Sequence, residues 1–231
     1  MTVLLLPGLL CDETIWSHQR KVLGEFADVL VPDFRHVNSI SAMAQLVLDA
    51  APERFSIAGH SMGGRVALEV FRMAPERVER LALLDTGVHQ RGPGEESKRG
   101  ELVELARSHG MAALAARWLP PMLHPDHSVL LEPLTAMVLR STPETFANQQ
   151  QALLDRPDAR TVLPSIRCPA LVLCGRQDTW SPVSQHEEIA ASIPHAKLAI
   201  VEDCGHMSPV EQPEAVTKWL SGHLQDQALQ V

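Results

Sequence analysis

The sequence lacks tyrosine altogether, and its five phenylalanine and four tryptophan residues provide few aromatic faces on which nucleic-acid bases could stack. Positive charge is also scarce, because 20 lysine and arginine residues stand against 28 aspartate and glutamate residues and leave a formal net charge of −8. A surface with this charge repels polyanions. We therefore expect no nucleic-acid partner.

The apolar stretch at residues 3–11 is too short and too interrupted to cross a membrane, which requires about 20 apolar residues. Pro7 and Gly8 break it, Asp12 follows it directly, and no lysine or arginine precedes it as in a signal peptide. With 45% hydrophobic and 21% charged residues, the composition is that of a soluble globular protein. We predict a cytoplasmic location and no membrane partner.

Cysteine is rare, and the four cysteines show no C-x-x-C pair. In a reducing compartment we expect them to be small buried apolar residues rather than disulfide partners. Cys204 and His206 would form only half of a zinc site, without a second close pair to complete it. We therefore predict no metal and no cofactor.

Short apolar runs alternate with longer segments of helical period, except in the middle of the chain. This alternation is typical of an α/β domain, in which a mostly parallel sheet is covered by helices on both faces. The predicted strands lie at 2–6, 29–31, 55–58, 81–84, 170–174 and 198–201. The predicted helices lie near 13–23, 41–50, 62–73, 183–192 and 213–224.

The middle segment opens with a Gly-Pro-Gly sequence at 92–94 and then shows only helix-like patterns. We predict a helical cap at 88–166, inserted into a core formed by 1–87 and 167–231. Most apolar residues of the cap are expected to hold it on the core. They are Met111, Leu114, Trp118, Leu119, Met122, Leu123, Met137 and Phe146.

The sequence GHSMG at 59–63 follows a predicted strand and precedes a predicted helix. In this context a G-x-S-x-G sequence forms a sharp turn that lifts the serine hydroxyl clear of the sheet. The small flanking residues permit the turn, and Gly64 lets the helix approach the strand closely. Ser61 is therefore the candidate nucleophile.

A serine hydroxyl is a weak nucleophile, so a base must take its proton. His206 follows the last predicted strand, where loops emerge at the carboxyl edge of a parallel sheet, and Gly205 lies beside it. His60 is the rival base, but adjacent residues on a sharp turn point apart. We therefore assign the base to His206 and expect His60 to pack in the interior.

The base needs a carboxylate that holds its ring in one tautomer. Asp178 follows the strand at 170–174, and the order serine, aspartate, histidine suits this kind of sheet. Asp85 and Asp203 are alternatives. A purely structural role for Asp178 would be to cap the helix that starts near Pro182.

Negative charge that develops on a substrate oxygen needs preorganised donors. The backbone N–H of Met62, at the start of a helix, is one candidate. The sequence Pro7-Gly8-Leu9 after the first strand predicts a tight turn that offers the Leu9 N–H as the other. Its alternative role is that of a turn alone.

Together, GHSMG at 59–63, the Gly175-x-x-Asp178 sequence and the Gly205-His206 pair resemble the α/β-hydrolase superfamily across nearly the whole chain. The resemblance implies a mostly parallel sheet with a helical cap after the fourth predicted strand. The family's amino-terminal hairpin is missing from this sequence, so we expect about six strands instead of eight. Pro7-Gly8 also stands where many relatives have His-Gly.

We predict a serine hydrolase that cleaves a small or medium carboxylic ester through an acyl-enzyme on Ser61. A small molecule is therefore the expected partner, and the oligomeric state stays open. Trp118 and Trp180 are expected to line the substrate pocket.

Two other functions stay open. The elbow sequence GHSMGGR at 59–65 is similar to that of the menaquinone-pathway synthase that eliminates pyruvate, so the same triad would serve carbon–carbon cleavage or elimination. Arg65 would then hold a substrate carboxylate, whereas its ordinary role would be a structural ion pair. The third function is a small-molecule receptor with a vestigial triad.

Overall fold

A computed structural model of the protein describes residues 1–225. Six strands form one sheet in the order β2-β1-β3-β4-β5-β6, and every neighbouring pair is parallel. The strands are β1 (Thr2–Leu6), β2 (Asp28–Leu30), β3 (Phe55–His60), β4 (Val78–Leu84), β5 (Ala170–Gly175) and β6 (Lys197–Val201). The predicted α/β fold with about six strands is confirmed.

The middle of the sheet is buried on both faces. Strands β3 and β5 are buried along their entire length, as expected for parallel strands covered by helices on both sides. Their register pairs Gly59 with Leu6, His60 with Leu84 and Gly175 with Val201. The carboxyl ends of the strands therefore open at one common edge.

Nine α-helices lie among the described residues. They are α1 (Ser17–Leu23), α2 (Ile40–Ala50), α3 (Met62–Met73), α4 (Glu95–Trp118), α5 (Leu131–Val138), α6 (Pro143–Leu154), α7 (Val183–Ser192), α8 (Ser208–Glu211) and α9 (Pro213–Leu224). Helices α3, α7 and α9 have the predicted bounds.

The predicted helix at 13–23 is wrong in its first turns. A 3₁₀ turn covers Glu13–Trp16, and α1 begins only at Ser17. The Asp12 side chain accepts a hydrogen bond from the Thr14 N–H, and Trp16 takes a non-helical backbone conformation while its side chain is fully buried. We therefore attribute the interruption of the helix at Trp16 to burial of its indole side chain.

The segment between β4 and β5 contains helices α4 to α6 and short 3₁₀ turns, without a strand in this fully described stretch. Helix α4 is interrupted at Gly110, whose φ of 81° lies in the left-handed region. All eight apolar residues named above for this segment are buried. The core and cap boundaries at 87/88 and 166/167 remain predictions.

Among residues 1–225, no helix combines the length and the apolar character that a membrane span requires. The four cysteines are unpaired. Cys174 and Cys204 are buried, but Cys11 and Cys168 are only partly so, which corrects the expectation for these two. Cys11 lies in the turn that follows β1 and lines a cavity.

Candidate active site

The serine at position 61 lies in a strained turn between β3 and α3. Its φ of 53° and ψ of −114° are rarely adopted by a residue with a side chain. A Cβ atom at Gly59 would collide with the Gly63 carbonyl, and one at Gly63 would collide with the Leu6 carbonyl. Only glycine therefore fits on either side, and the Ser61 side chain stands above the sheet edge.

We expect the Ser61→Gly variant to be more stable than Ser61→Ala by about 1 kcal/mol, or roughly 2–4 °C in Tm for a chain of this size. Strain of about 1–3 kcal/mol is relieved only in glycine, which loses about 0.5–1 kcal/mol through its greater freedom in the unfolded chain. Thermal unfolding of the two variants measures the difference. Equal Tm values would show that this turn stores no strain.

His206 bridges Ser61 and Asp178. Its Nε2 lies 2.9 Å from Ser61 Oγ, and its Nδ1 lies 2.8 Å from Asp178 Oδ2. This geometry suits one tautomer, in which Nδ1–H donates to the carboxylate and Nε2 accepts the serine proton. His206 and Asp178 are both buried. The three predicted side chains are thus brought together from three different strand ends.

The carboxylate of Asp178 also shapes its own loop. Its Oδ1 accepts hydrogen bonds from the N–H groups of Trp180 at 2.8 Å and Ser181 at 2.9 Å. These bonds close the turn before α7, whose own N-cap residue is Pro182. One carboxylate oxygen therefore holds the loop while the other faces the imidazole.

Neighbouring charges set the protonation of the pair. Burial alone would lower the pKa of His206, but the charge and hydrogen bond of Asp178, with Asp85 and Glu211 farther away, raise this pKa above its ordinary value. Burial would raise the pKa of Asp178, but the imidazolium and the loop N–H groups lower it. Asp178 is therefore ionised when His206 takes up a proton.

We expect kcat/KM to fall on the acid side with an inflection above pH 6.5, the ordinary pKa of histidine. As the candidate base, His206 can accept the serine proton only in its neutral form, and its pKa in the protein is raised, so protonation begins at a higher pH. A pH series with an uncharged ester measures this limb. An inflection below pH 6 would show that another group acts as the base.

The rival base, His60, and the alternative acids, Asp85 and Asp203, occupy different positions from His206 and Asp178. Burial, and secondarily the charge of His206, lower the pKa of His60 to about 3, and its Nε2 lies 2.8 Å from the His206 carbonyl oxygen. Asp85 is buried and accepts from Ser208 Oγ at 2.5 Å, and burial with the nearby Asp178 charge raises its pKa. Asp203 is exposed. Of the three acids, only Asp178 bonds the His206 ring among the described residues.

The two backbone N–H groups that were predicted to bind an oxyanion, those of Leu9 and Met62, remain available for that role. No hydrogen bond from the Leu9 or Met62 N–H occurs within the part of the chain that the structure describes. The turn after β1 is displaced by one residue from the prediction, because the Cys11 N–H closes it on the Gly8 carbonyl at 3.1 Å. Leu10, with a φ of 57°, permits this closure.

Two cavities meet at Ser61 and His206, which line both. The larger, of about 390 Å³, is hereafter the polar chamber, and Arg65 and Trp180 are among its lining residues. The smaller, of about 60 Å³, is the apolar chamber, lined in part by Trp118 and again by Trp180. The structure thus places all three predicted substrate-binding residues around the candidate nucleophile.

Glu211 holds the loop that carries His206, a role that the sequence did not indicate. Its Oε1 accepts from the backbone N–H groups on either side of His206, at 3.1 and 2.9 Å. Its Oε2 accepts from the His124 N–H at 2.6 Å and lies 3.1 Å from His127 Nδ1. The carboxylate therefore joins the segment at 88–166 to the loop that carries His206. Glutamate is seldom fully buried unless it is paired, so no signal in the sequence singled out Glu211.

The charged residues that line the polar chamber together with Arg65 were also missed. Arg99, Arg156 and Glu95 come from the helical segment and line the polar chamber beside Arg65. In the sequence they resemble the exposed charges of ordinary helices. Among residues 1–225, no group of three or more His, Cys, Asp or Glu side chains is arranged to hold a metal ion.

Comparison with known proteins finds an esterase and a synthase among the relatives of this chain. Pimeloyl-(acyl-carrier protein) methyl ester esterase of Nitrosomonas europaea is 29% identical over 187 residues, covering 77% of this chain and 74% of that protein. A Bacillus subtilis protein assigned provisionally as 2-succinyl-6-hydroxy-2,4-cyclohexadiene-1-carboxylate synthase is 26% identical, covering 80% of this chain and 71% of that protein. The solved structure of a thermophilic esterase from Thermogutta terrifontis matches with a TM-score of 0.87 at 30% identity, covering 98% of this chain and 90% of the esterase.

A model of the alpha/beta hydrolase family matches residues 3–219. This match spans nearly the whole chain, and the sheet order and connections agree with it. The chain therefore belongs to the alpha/beta hydrolase family and is a hydrolase enzyme.

Proposed function

We propose that the protein hydrolyses carboxylic esters by a serine mechanism in which Ser61, His206 and Asp178 form the triad. The observation that carries the proposal is the position of one imidazole within hydrogen-bond distance of both a hydroxyl and a buried carboxylate, at 2.9 and 2.8 Å. Nucleophile, base and orienting acid at these distances are the geometry that acyl transfer requires. The substrate is a small molecule that enters the chambers beside Ser61.

The first half of the reaction forms an acyl-enzyme. His206 Nε2 takes the proton of Ser61 as Oγ attacks the ester carbonyl carbon, and the carbonyl oxygen becomes negatively charged. The N–H groups of Leu9 and Met62 donate to this oxygen, an interaction worth about a hundred- to a thousandfold in rate for each donor. His206 then gives its proton to the departing alcohol, and the acyl group remains on Ser61.

The second half uses the same groups on water. His206 takes a proton from a water molecule that attacks the acyl carbon, the C–O bond to Ser61 breaks, and the proton returns to the serine oxygen. Asp178 stays ionised throughout and stabilises the imidazolium that forms twice in each turnover. The products are one carboxylic acid and one alcohol.

Reaction with a fluorophosphonate probe tests this proposal. We expect one covalent adduct, located on Ser61 by peptide mass mapping, together with turnover of short p-nitrophenyl esters. Ser61→Ala should lose both, while Ser192→Ala, which removes a hydroxyl that donates to the Glu188 carbonyl on α7, should keep both. Absence of labelling in the intact protein would contradict the proposal and favour a receptor.

A second candidate is carbon–carbon cleavage or an elimination by the same triad. The observation that favours it is the cationic Arg65 in the chamber beside Ser61, which suits a substrate with a carboxylate near the reacting carbon. The Bacillus subtilis relative assigned as a synthase belongs to this class. Release of pyruvate from an enolpyruvyl substrate, with no turnover of simple esters, would replace ester hydrolysis by this function.

A further inference from the structure

The polar chamber concentrates positive charge in a chain whose formal net charge is −8. Arg65, Arg99 and Arg156 line it, and the carboxylate among its lining residues is Glu95. Glu95 lies 2.8 Å from the guanidinium group of Arg99 and 2.8 Å from that of Arg156. Arg65 has no carboxylate partner within residues 1–225 and lies beside two like charges.

The contacts of Arg65 leave much of its guanidinium group available. Its Nη1 donates to the His89 carbonyl oxygen at 3.0 Å, and the same oxygen accepts from Arg156 Nε at 2.9 Å. Burial, followed by the charges of Arg156 and Arg99, lowers the pKa of Arg65 to about 9, so the group is still charged at neutral pH. Glu95 offsets part of this effect, but its carboxylate is bonded to Arg99 and Arg156, so a bound anion would stabilise the Arg65 charge further.

Gly87 leaves space beside the second terminal nitrogen of Arg65. A Cβ atom at position 87 would lie 3.0 Å from Arg65 Nη2 and 2.8 Å from Gln185 Oε1. The absence of a side chain therefore keeps the edge of the guanidinium group open to the chamber. A carboxylate accepts two parallel hydrogen bonds from such an edge.

The apolar chamber, which shares Ser61 and His206 with the polar chamber, is small and lined mainly by apolar side chains. Trp118, Met122 and Met207 contribute to its wall. Arg99 also reaches it, but this arginine is already paired with Glu95. The volume of about 60 Å³ corresponds to about four water-sized spheres, which is enough for a methyl to propyl group but not for a long chain.

We propose that the preferred substrates are esters with a short uncharged alkyl group at one end and a carboxylate at the other, bridging the two chambers across Ser61. The inference rests on the proposed ester hydrolysis and names its substrate class. The carboxylate binds Arg65 in the polar chamber, and the alkyl group fills the apolar chamber. Water adds across the ester bond, so an alcohol and an acid leave and no oxidant or reductant is needed.

Matched ester pairs test the charge preference. Monomethyl glutarate is compared with its uncharged amide, methyl 4-carbamoylbutanoate, and 4-acetoxybutanoate with 4-acetoxybutanamide. The first pair places the anion on the acyl side, and the second places it on the alcohol side. We expect kcat/KM to favour the charged member of at least one pair by about 10–100-fold, mainly through KM, the range expected for hydrogen bonds to a charged group.

Variants then test which residue causes the preference for charged esters. Arg65→Gln should reduce the charged-to-amide ratio to near one, and Gly87→Ala should reduce it in part by filling the space beside the guanidinium group. Arg54→Gln is the matched control, because it removes the same charge from an exposed residue that pairs with Glu79 near the start of β3. A ratio that survives Arg65→Gln would overturn the assignment of the anion to this residue.

Chain length tests the apolar chamber. Among monoalkyl glutarates, we expect kcat/KM to fall at least about tenfold from propyl to hexyl, and Met122→Ala to recover part of this loss by enlarging the chamber. Equal rates for both lengths would overturn the size limit. A charge ratio near one in the unaltered enzyme, with fluorophosphonate labelling intact, would overturn this inference but leave ester hydrolysis standing. Loss of labelling as well would overturn both.

Discussion

Replacing Ser61 by alanine is expected to lower kcat for a short ester by about 10⁶-fold, and replacing His206 by alanine should have a similar effect. The hydroxyl and the imidazole lie 2.9 Å apart and act as one unit, because neither moves the proton without the other. The double variant should therefore be no slower than either single variant. Backbone donors and substrate binding would still leave a rate about 10³–10⁴ above that in water.

Steady-state kinetics on one short p-nitrophenyl ester measures these losses. Ser192→Ala serves as the control, and circular dichroism confirms that each variant is folded. If Ser61→Ala lost less than about tenfold, Ser61 would not be the nucleophile. If His206→Ala left the rate unchanged while Ser61→Ala abolished it, a different base would have to be sought.

The fold could be predicted from the sequence because short stretches of neighbouring residues indicate where its helices and strands begin and end. Proline before or within the first turn of α7 and α9 marks where each helix begins, and GHSMG marks the junction of β3 and α3. The same signals located the strand ends from which Ser61, Asp178 and His206 project. Since parallel strands share one carboxyl edge, chain order alone predicted that these three residues lie near one another.

The polar chamber could not be predicted, because it depends on contacts between distant parts of the chain. Arg65 comes from α3, whereas Glu95 and Arg99 come from α4 and Arg156 follows α6. Only the packing of the segment at 88–166 against the sheet brings these charges together. The break before α1 was missed for a related reason, since burial of Trp16 decided the backbone there.

Two buried aspartates, Asp178 and Asp85, lie near the His206 ring, and one of them has to be assigned as the carboxylate that orients it. Asp178 bonds Nδ1 directly and is held ionised, whereas burial and the Asp178 charge raise the pKa of Asp85 and favour its neutral form. When two carboxyl groups share one site, their pKa values are commonly displaced in opposite directions. We therefore assign the orienting role to Asp178.

Asp178→Asn is expected to lower kcat by about 10⁴-fold, because the amide nitrogen can face Nδ1 and impose the wrong tautomer on His206. Its remaining oxygen still accepts from the Trp180 and Ser181 N–H groups, so the loop should keep its shape. Asp85→Asn should cost less than about tenfold, because Asp85 does not bond the His206 ring and the amide oxygen of asparagine can still accept the hydrogen bond from Ser208 Oγ. Both variants are compared by kcat and by the acid limb of the pH profile, which should move further to lower pH in Asp178→Asn than in Asp85→Asn. A larger loss in Asp85→Asn would transfer the orienting role to Asp85.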